Sequence, residues 1–115
     1  MRSSCPISRS LDILGDRWTL LVIRDLMFFG KNQYGEFLAS PEGISTNILA
    51  DRLKKLEQVG IISKEAYQHN PVRYTYSLTS KGKDLQPALA ALFSWGLEHV
   101  ENSIPPDQSL LKLQD

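Results

Sequence analysis

The hydrophobic period changes at Gly60, and few folds of this length accommodate such a change. Before it, "GISTNILADRLKKLEQVG" (43–60) repeats at helical spacing. Ile48, Leu49, Leu53, Leu56 and Val59 fall within one arc when successive residues are placed about 100° apart. After it, "IISKEAYQ" and "RYTYSLT" are rich in β-branched and aromatic residues, and Tyr74, Tyr76 and Leu78 alternate as one face. His69-Asn70-Pro71 between them reads as a turn, so the two runs form a β-hairpin. Ser45 is placed to cap the helix and Gly60 to stop it.

The flanking segments extend the pattern. "SRSLDIL" (8–14) predicts a short helix stopped by Gly15. Asp16 caps "RWTLLVIRDLMFF", which is apolar almost all round and so belongs at the centre of a helical domain; Gly30 ends it. "YGEFLAS" (34–40) sets Tyr34, Phe37 and Leu38 on one face of a short helix, and Pro41-Glu42-Gly43 is a turn. Thr79 or Ser80 opens a final helix over about 81–102, which Pro87 should kink or restart because it lacks a backbone donor. The expectation is one domain over 1–115, with its core at about 5–102 and a tail at 103–115 that carries no clear element. With 42% hydrophobic residues in 115, the chain can bury one proper core. The fold class is mainly α with a β-hairpin wing: a short helix, a tight turn and a longer capped helix, then a hairpin, make a winged helix-turn-helix.

The outward side of the 43–60 helix carries Thr46, Asn47, Ala50, Asp51, Lys54 and Gln58. Reading a major groove needs short hydrogen-bonding side chains at the helix N-terminus, a small residue for close approach and cations further along. Asn47 can pair bidentately with adenine, and Ser45 and Thr46 can donate to or accept from either base type. Arg52, Lys54 and Lys55 are then candidate contacts to the flanking phosphates. Asp51 either pairs with Lys55 at i+4 or reads a cytosine amino group. On the wing, His69 and Asn70 lie at the tip beside Gln68, and Lys64 and Arg73 lie on the strands, where they can reach a minor groove or its phosphates.

Charge supports this placement. The formal total is zero, yet Gly43 to Lys83 holds seven basic residues against three acidic, while Asp84 to Asp115 holds one against five. A locally basic middle steers a polyanion better than the sum suggests. The balanced total and acidic tail also suit a competing reading, a winged helix that docks on protein instead of DNA.

An enzyme is excluded: there is no Gly-rich phosphate loop and no plausible triad. His69, His99 and a single cysteine give no metal-ligand spacing, and no cofactor is expected. Cys5 alone can form no internal disulfide and fits a reducing compartment. The start lacks an apolar leader, and "WTLLVIRDLMFFG" is interrupted by Arg24 and Asp25, so the expectation is a soluble cytoplasmic protein with no membrane partner.

"CPISRSLDILGDRWTLLVIRDL", "GISTNILADRLKKLEQVGII" and "RYTYSLTSKGKDLQPALAALFSWG" together resemble the HxlR-type family of bacterial transcriptional regulators, relatives of the MarR group, over roughly Cys5 to His99. The resemblance implies a homodimer that binds operator DNA and answers a small-molecule inducer or an oxidant. Its first and last helices would build the dimer, which makes Leu11, Leu14, Leu89, Leu92, Phe93, Trp95 and Val100 candidate interface residues; the alternative for each is packing within the monomer. Family members often carry a basic residue just before the aromatic that starts the third helix. Here that position is Gln33, and Lys31 is the substitute phosphate contact. Some members sense oxidants through a cysteine matching Cys5. A helix N-terminus, with Arg2 and Arg9 nearby, would favour its thiolate. Open routes are a Cys5–Cys5 bridge between subunits, a mixed disulfide or alkylation. The alternative is a small buried apolar residue.

Overall fold

The computed structural model describes residues 3–103. Eight elements follow in order: α1 (Pro6–Leu14), α2 (Arg17–Phe28), α3 (Tyr34–Leu38), α4 (Thr46–Gln58), β1 (Ile62–His69), β2 (Val72–Leu78), α5 (Ser80–Lys83) and α6 (Gln86–His99). This is mainly helical with one two-stranded antiparallel hairpin. The helix-turn-helix is α3 and α4, and the hairpin is the wing.

Most sequence boundaries hold within two residues. The first helix starts at Pro6, two residues before the expected start, because proline fits a first turn whose N–H would be unpaired anyway. Asp16 caps α2 by accepting from the Thr19 N–H at 3.0 Å. The final helix does break. Continuing it through Pro87 would set the ring against the carbonyl four residues back, so α5 ends at Lys83 and α6 restarts with Pro87 in its first turn.

The core is built by α2, α3, α4 and the start of the wing. Ile23 and Leu49 are wholly buried, and Val22, Phe37, Leu53, Leu56, Ile61 and Ile62 close around them. The buried positions of α4, Leu49, Leu53 and Leu56, are the ones its periodicity set apart. Its opposite side, from Thr46 and Asn47 through Ala50 and Lys54, is exposed.

The wing is anchored at its base. Gly60 adopts φ +80°, which lets the chain leave α4 and enter β1. The Thr79 hydroxyl donates to backbone carbonyls at Gly60 and Ile61, and its oxygen accepts the Gly82 N–H that opens α5. A Cβ at Gly82 would lie 2.3 Å from the Ile61 carbonyl oxygen, so only glycine fits there. In the hairpin, Ile62 pairs with Leu78 and Ala66 with Tyr74; Tyr67 is the extra residue of a bulge before Gln68 meets Arg73. A third short segment joins β2, as the Tyr76 N–H donates to Asn32 O at 2.8 Å and Gln33 bridges Thr75.

Two ion-pair groups tie α2 to the helix-turn-helix. Arg52 on α4 reaches back to Asp16, with Nε at 2.7 Å from Oδ2, and Arg24 on α2 grips Glu42 in the α3–α4 turn. The hydrogen bonds from Arg52 hold the Asp16 carboxyl well below the usual carboxylate range. A depressed folded value contributes stability above the unfolded value of about 4 and loses it as pH falls through the folded one. Asp16→Asn is therefore expected to be less stable than the parent chain at pH 7, with the gap closing progressively below about pH 4. Urea titrations of both proteins across that range check it.

Candidate nucleic-acid interface

The N-terminal turn of α4 is the centre of the site. The Ser45 hydroxyl oxygen accepts the Ile48 N–H at 3.2 Å, which fixes the start of the helix and leaves its own proton free to donate. Thr46, Asn47 and Ala50 follow as an exposed strip. The Tyr34 hydroxyl donates to Thr46 O at 2.9 Å, so α3 braces the same turn. Sequence reading had placed Tyr34 only on an apolar face; a hydroxyl reaching twelve residues along the chain has no periodic signature.

The structure sorts the candidate cations. Arg52 points back into the protein, bonded to Asp16 and, through Nη1, to Asp51 at 2.6 Å. Asp51 also takes Lys55 Nζ at 3.2 Å. It thus adopts the i+4 pairing rather than standing free for a cytosine amino group, and Lys55 and Arg52 lower its pKa. Lys54 is exposed on the outward side. Lys31 donates to the Ser40 hydroxyl at 2.8 Å. Gln33 works as the start of α3, where Glu36 Oε1 accepts the N–H groups of Asn32 and Gln33, each at 3.0 Å. Arg52 and Lys31 are therefore both engaged in internal contacts.

On the wing, Lys64 lies 3.5 Å from Glu57 on α4 and 4.4 Å from the centre of the Tyr74 ring. It links wing to helix. His69, Asn70 and Arg73 remain exposed at and beside the tip. Between α3 and the wing runs a groove of about 580 Å³, walled by Tyr34 and Gly35 on one side and by Tyr67, Val72, Arg73 and Tyr74 on the other. Because Tyr34 also touches the first residue of α4, the reading turn, the groove and Arg73 form one continuous surface.

The terminal helices present a different chemistry. No residue of α1 is buried, and Ile7 and Leu11 are exposed. Leu92 and Trp95 on α6 and Val100 at its C-cap are each at least half exposed, while Phe93 is half-buried. Leu89 stands apart, with 7% exposure inside the monomer core, and Leu14 packs partly against that core. Ile7 was missed because the first helix was read from Ser8.

Cys5 is exposed in the single chain. It is the N-cap of α1, and the backbone amides of Ser8 and Ile7 lower its thiol pKa. Arg2 lies outside the described residues. Among the described residues, no cluster of His, Cys, Asp and Glu could hold a metal ion, and no helix is long and apolar enough to cross a membrane.

Comparison with known proteins agrees with this geometry. Residues 13–104 match the model of the HxlR-like helix-turn-helix family. Over 97 residues, 84% of this chain and 71% of the relative, the sequence is 40% identical to an uncharacterized HTH-type transcriptional regulator of Synechocystis. It spans 58% of the length of matching regulators from Mycobacterium bovis and Mycobacterium tuberculosis. The crystal structure of a MarR-family transcriptional regulator of Porphyromonas gingivalis superposes with a TM-score of 0.73 at 35% identity, covering 87% of this chain and 97% of that one. The redox regulator HypR in its reduced form superposes with a TM-score of 0.76 at 30% identity, covering 84% and 95%. A capped reading helix, a wing held to it by Thr79 and Gly82, and a family match across four-fifths of the sequence lead to one conclusion: the chain belongs to the HxlR-like helix-turn-helix family of transcriptional regulators, which are not enzymes.

Proposed function

We propose that this chain is a cytoplasmic bacterial regulator that binds a pseudo-palindromic operator as a homodimer. The observation that carries the reading is the exposed strip Thr46-Asn47-Ala50, braced by Ser45 and Tyr34 and continuous with Arg73 of the wing. Asn47 reads a base edge, with Thr46 and Ser45 as its neighbours. Lys54 and Arg73 take phosphates, Lys55 joins them at the edge of its pair with Asp51, and His69 and Asn70 approach the flanking groove. Lys64 and Arg52 hold the reading surfaces in place.

Selection of genomic fragments by the purified protein, followed by footprinting, supplies the operator. A two-fold symmetric site with half-sites about one helical turn apart supports the reading. No enrichment at low salt would favour a protein-docking module. On the enriched site, Asn47→Ala is expected to cost about 1–3 kcal/mol and to relax preference at one base pair. Lys54→Ala should weaken binding to all duplexes and reduce the salt slope by about one. Equal loss by Asn47→Ala on specific and random DNA would contradict base reading there.

The proposed dimer rests on exposed apolar residues of the two terminal helices, Ile7 and Leu11 on α1 and Leu92, Trp95 and Val100 on and just after α6. Large apolar side chains exposed together on a helix face mark protein–protein contact sites. Phe93 is half-buried, whereas Leu89 belongs to the monomer core and Leu14 packs partly against it. Trp95→Glu is expected to give a folded monomer by sedimentation and to lose operator binding; an unchanged dimer would move the interface elsewhere.

Cys5 is the proposed sensor, switched by oxidation or alkylation. Its exposure, its place at the N-terminus of α1 and the amides that favour its thiolate support this, as does the likeness to a redox regulator. Because α1 contributes to the proposed dimer surface, modification there can rotate the two reading heads. Treatment with diamide or a quinone should abolish operator binding by the parent chain and leave Cys5→Ser unaffected. Equal loss in both would remove Cys5 from the mechanism.

A further inference from the structure

Five side chains on α2, its exit and the α3–α4 turn form one connected polar chain. Lys31 donates to the Ser40 hydroxyl, and that hydroxyl donates to Asp25 Oδ2. Arg24 then donates to Asp25 Oδ1 from Nε at 3.0 Å and Nη2 at 2.7 Å. The same guanidinium grips Glu42 with both outer nitrogens, Nη1 at 2.6 Å and Nη2 at 2.9 Å, while it lies over the Phe29 ring. Asp25 and Ser40 are buried. Charges alternate along the chain and cancel, Lys31 and Arg24 against Asp25 and Glu42.

Its placement suggests what it does. Ser40 and Glu42 flank Pro41, so both sides of the turn are fastened to one spot on α2. The turn continues through Gly43 and buried Ile44 directly into Ser45, the cap of the reading helix. The other tie between α2 and the reading helix is Asp16 with Arg52. Asp16 and Arg24 stand about 12 Å apart along α2 at about 1.5 Å per residue. One anchor therefore holds the entry to α4 and the other holds its middle. Two separated anchors add direction to a helix that core packing already holds by one face.

We propose that Arg24 and Glu42 are positioning residues for DNA reading: their paired bonds set the angle at which Thr46 and Asn47 meet the base edges, without touching DNA. The proposal rests on the DNA-binding function. It separates geometry from charge. Losing Glu42 removes a negative charge and, by charge alone, would strengthen binding to every duplex alike. Losing the fork of Arg24 while keeping its charge should leave phosphate attraction unchanged.

The test compares Glu42→Ala, Arg24→Lys and the conservative Glu42→Gln with the parent chain on the enriched operator and on a scrambled duplex of equal length. Thermal midpoints confirm folding, and amide hydrogen exchange is read at Ile48 and Leu49. Glu42→Ala and Arg24→Lys are each expected to lower the operator-to-scrambled affinity ratio by about tenfold, comparable to one mismatched base pair. The salt slope should be unchanged, and exchange in the first turn of α4 should be faster. Glu42→Gln, which keeps one acceptor, should recover part of the ratio. Equal changes on both duplexes, or a preserved ratio, would overturn the proposal. Should genomic selection return no site, DNA reading fails, and the exchange measurement still decides the anchor: unchanged protection at Ile48 and Leu49 in Glu42→Ala would overturn it.

Discussion

Burial of one side of α4 is the constraint on which the rest depends. Leu49, Leu53 and Leu56 sit in the core with Val22, Ile23 and Phe37. Each such side chain is worth about 1.5–3 kcal/mol when taken from water. The exposed or half-exposed ion pairs around them, such as Lys55 with Asp51, are screened by solvent and contribute far less. Packing therefore decides that α4 is held, and by which face. The opposite face is left exposed, and its first turn is the proposed site of base reading.

Polar contacts have a different task, which is direction. Asp16, Ser45 and Thr79 each sit at a helix start with a side-chain oxygen on a backbone N–H, so the chain's changes of course are fixed locally. Arg52 and Lys64 tie α4 to α2 and to the wing. These pairings also reconcile a formal charge of zero with a polyanionic partner. Acids and bases cancel inside the protein, while Lys54 and Arg73 face outward.

Much of this was legible in the sequence because it is periodic or local. The inward arc of α4, its Ser45 cap, the wing with its alternating tyrosines and the break at Pro87 all follow from spacing and backbone chemistry. Gly82 was visible as part of a motif, but the reason for it, the nearby Ile61 carbonyl, needed coordinates. What stayed hidden are contacts between residues distant in sequence. The bond of Arg52 to Asp16 was hidden because nothing in a helical wheel shows a residue thirty-six positions earlier within reach. The contacts of Lys31 with Ser40 and of Tyr34 with Thr46 were hidden for the same reason. Among the candidate dimer residues, spacing could not separate Leu89, which the monomer buries, from Leu92 and Trp95, which it leaves exposed.

The central claim is that one surface, from the first turn of α4 across Tyr34 to Arg73, meets DNA. Its most direct test is to titrate the isotopically labelled protein with its selected duplex and map backbone amide shifts. The account predicts the largest changes at Thr46, Asn47, Ala50, Tyr34 and Arg73, with the exposed side of α6 unaffected. Changes confined to α1 and α6, with the first turn of α4 silent, would contradict it.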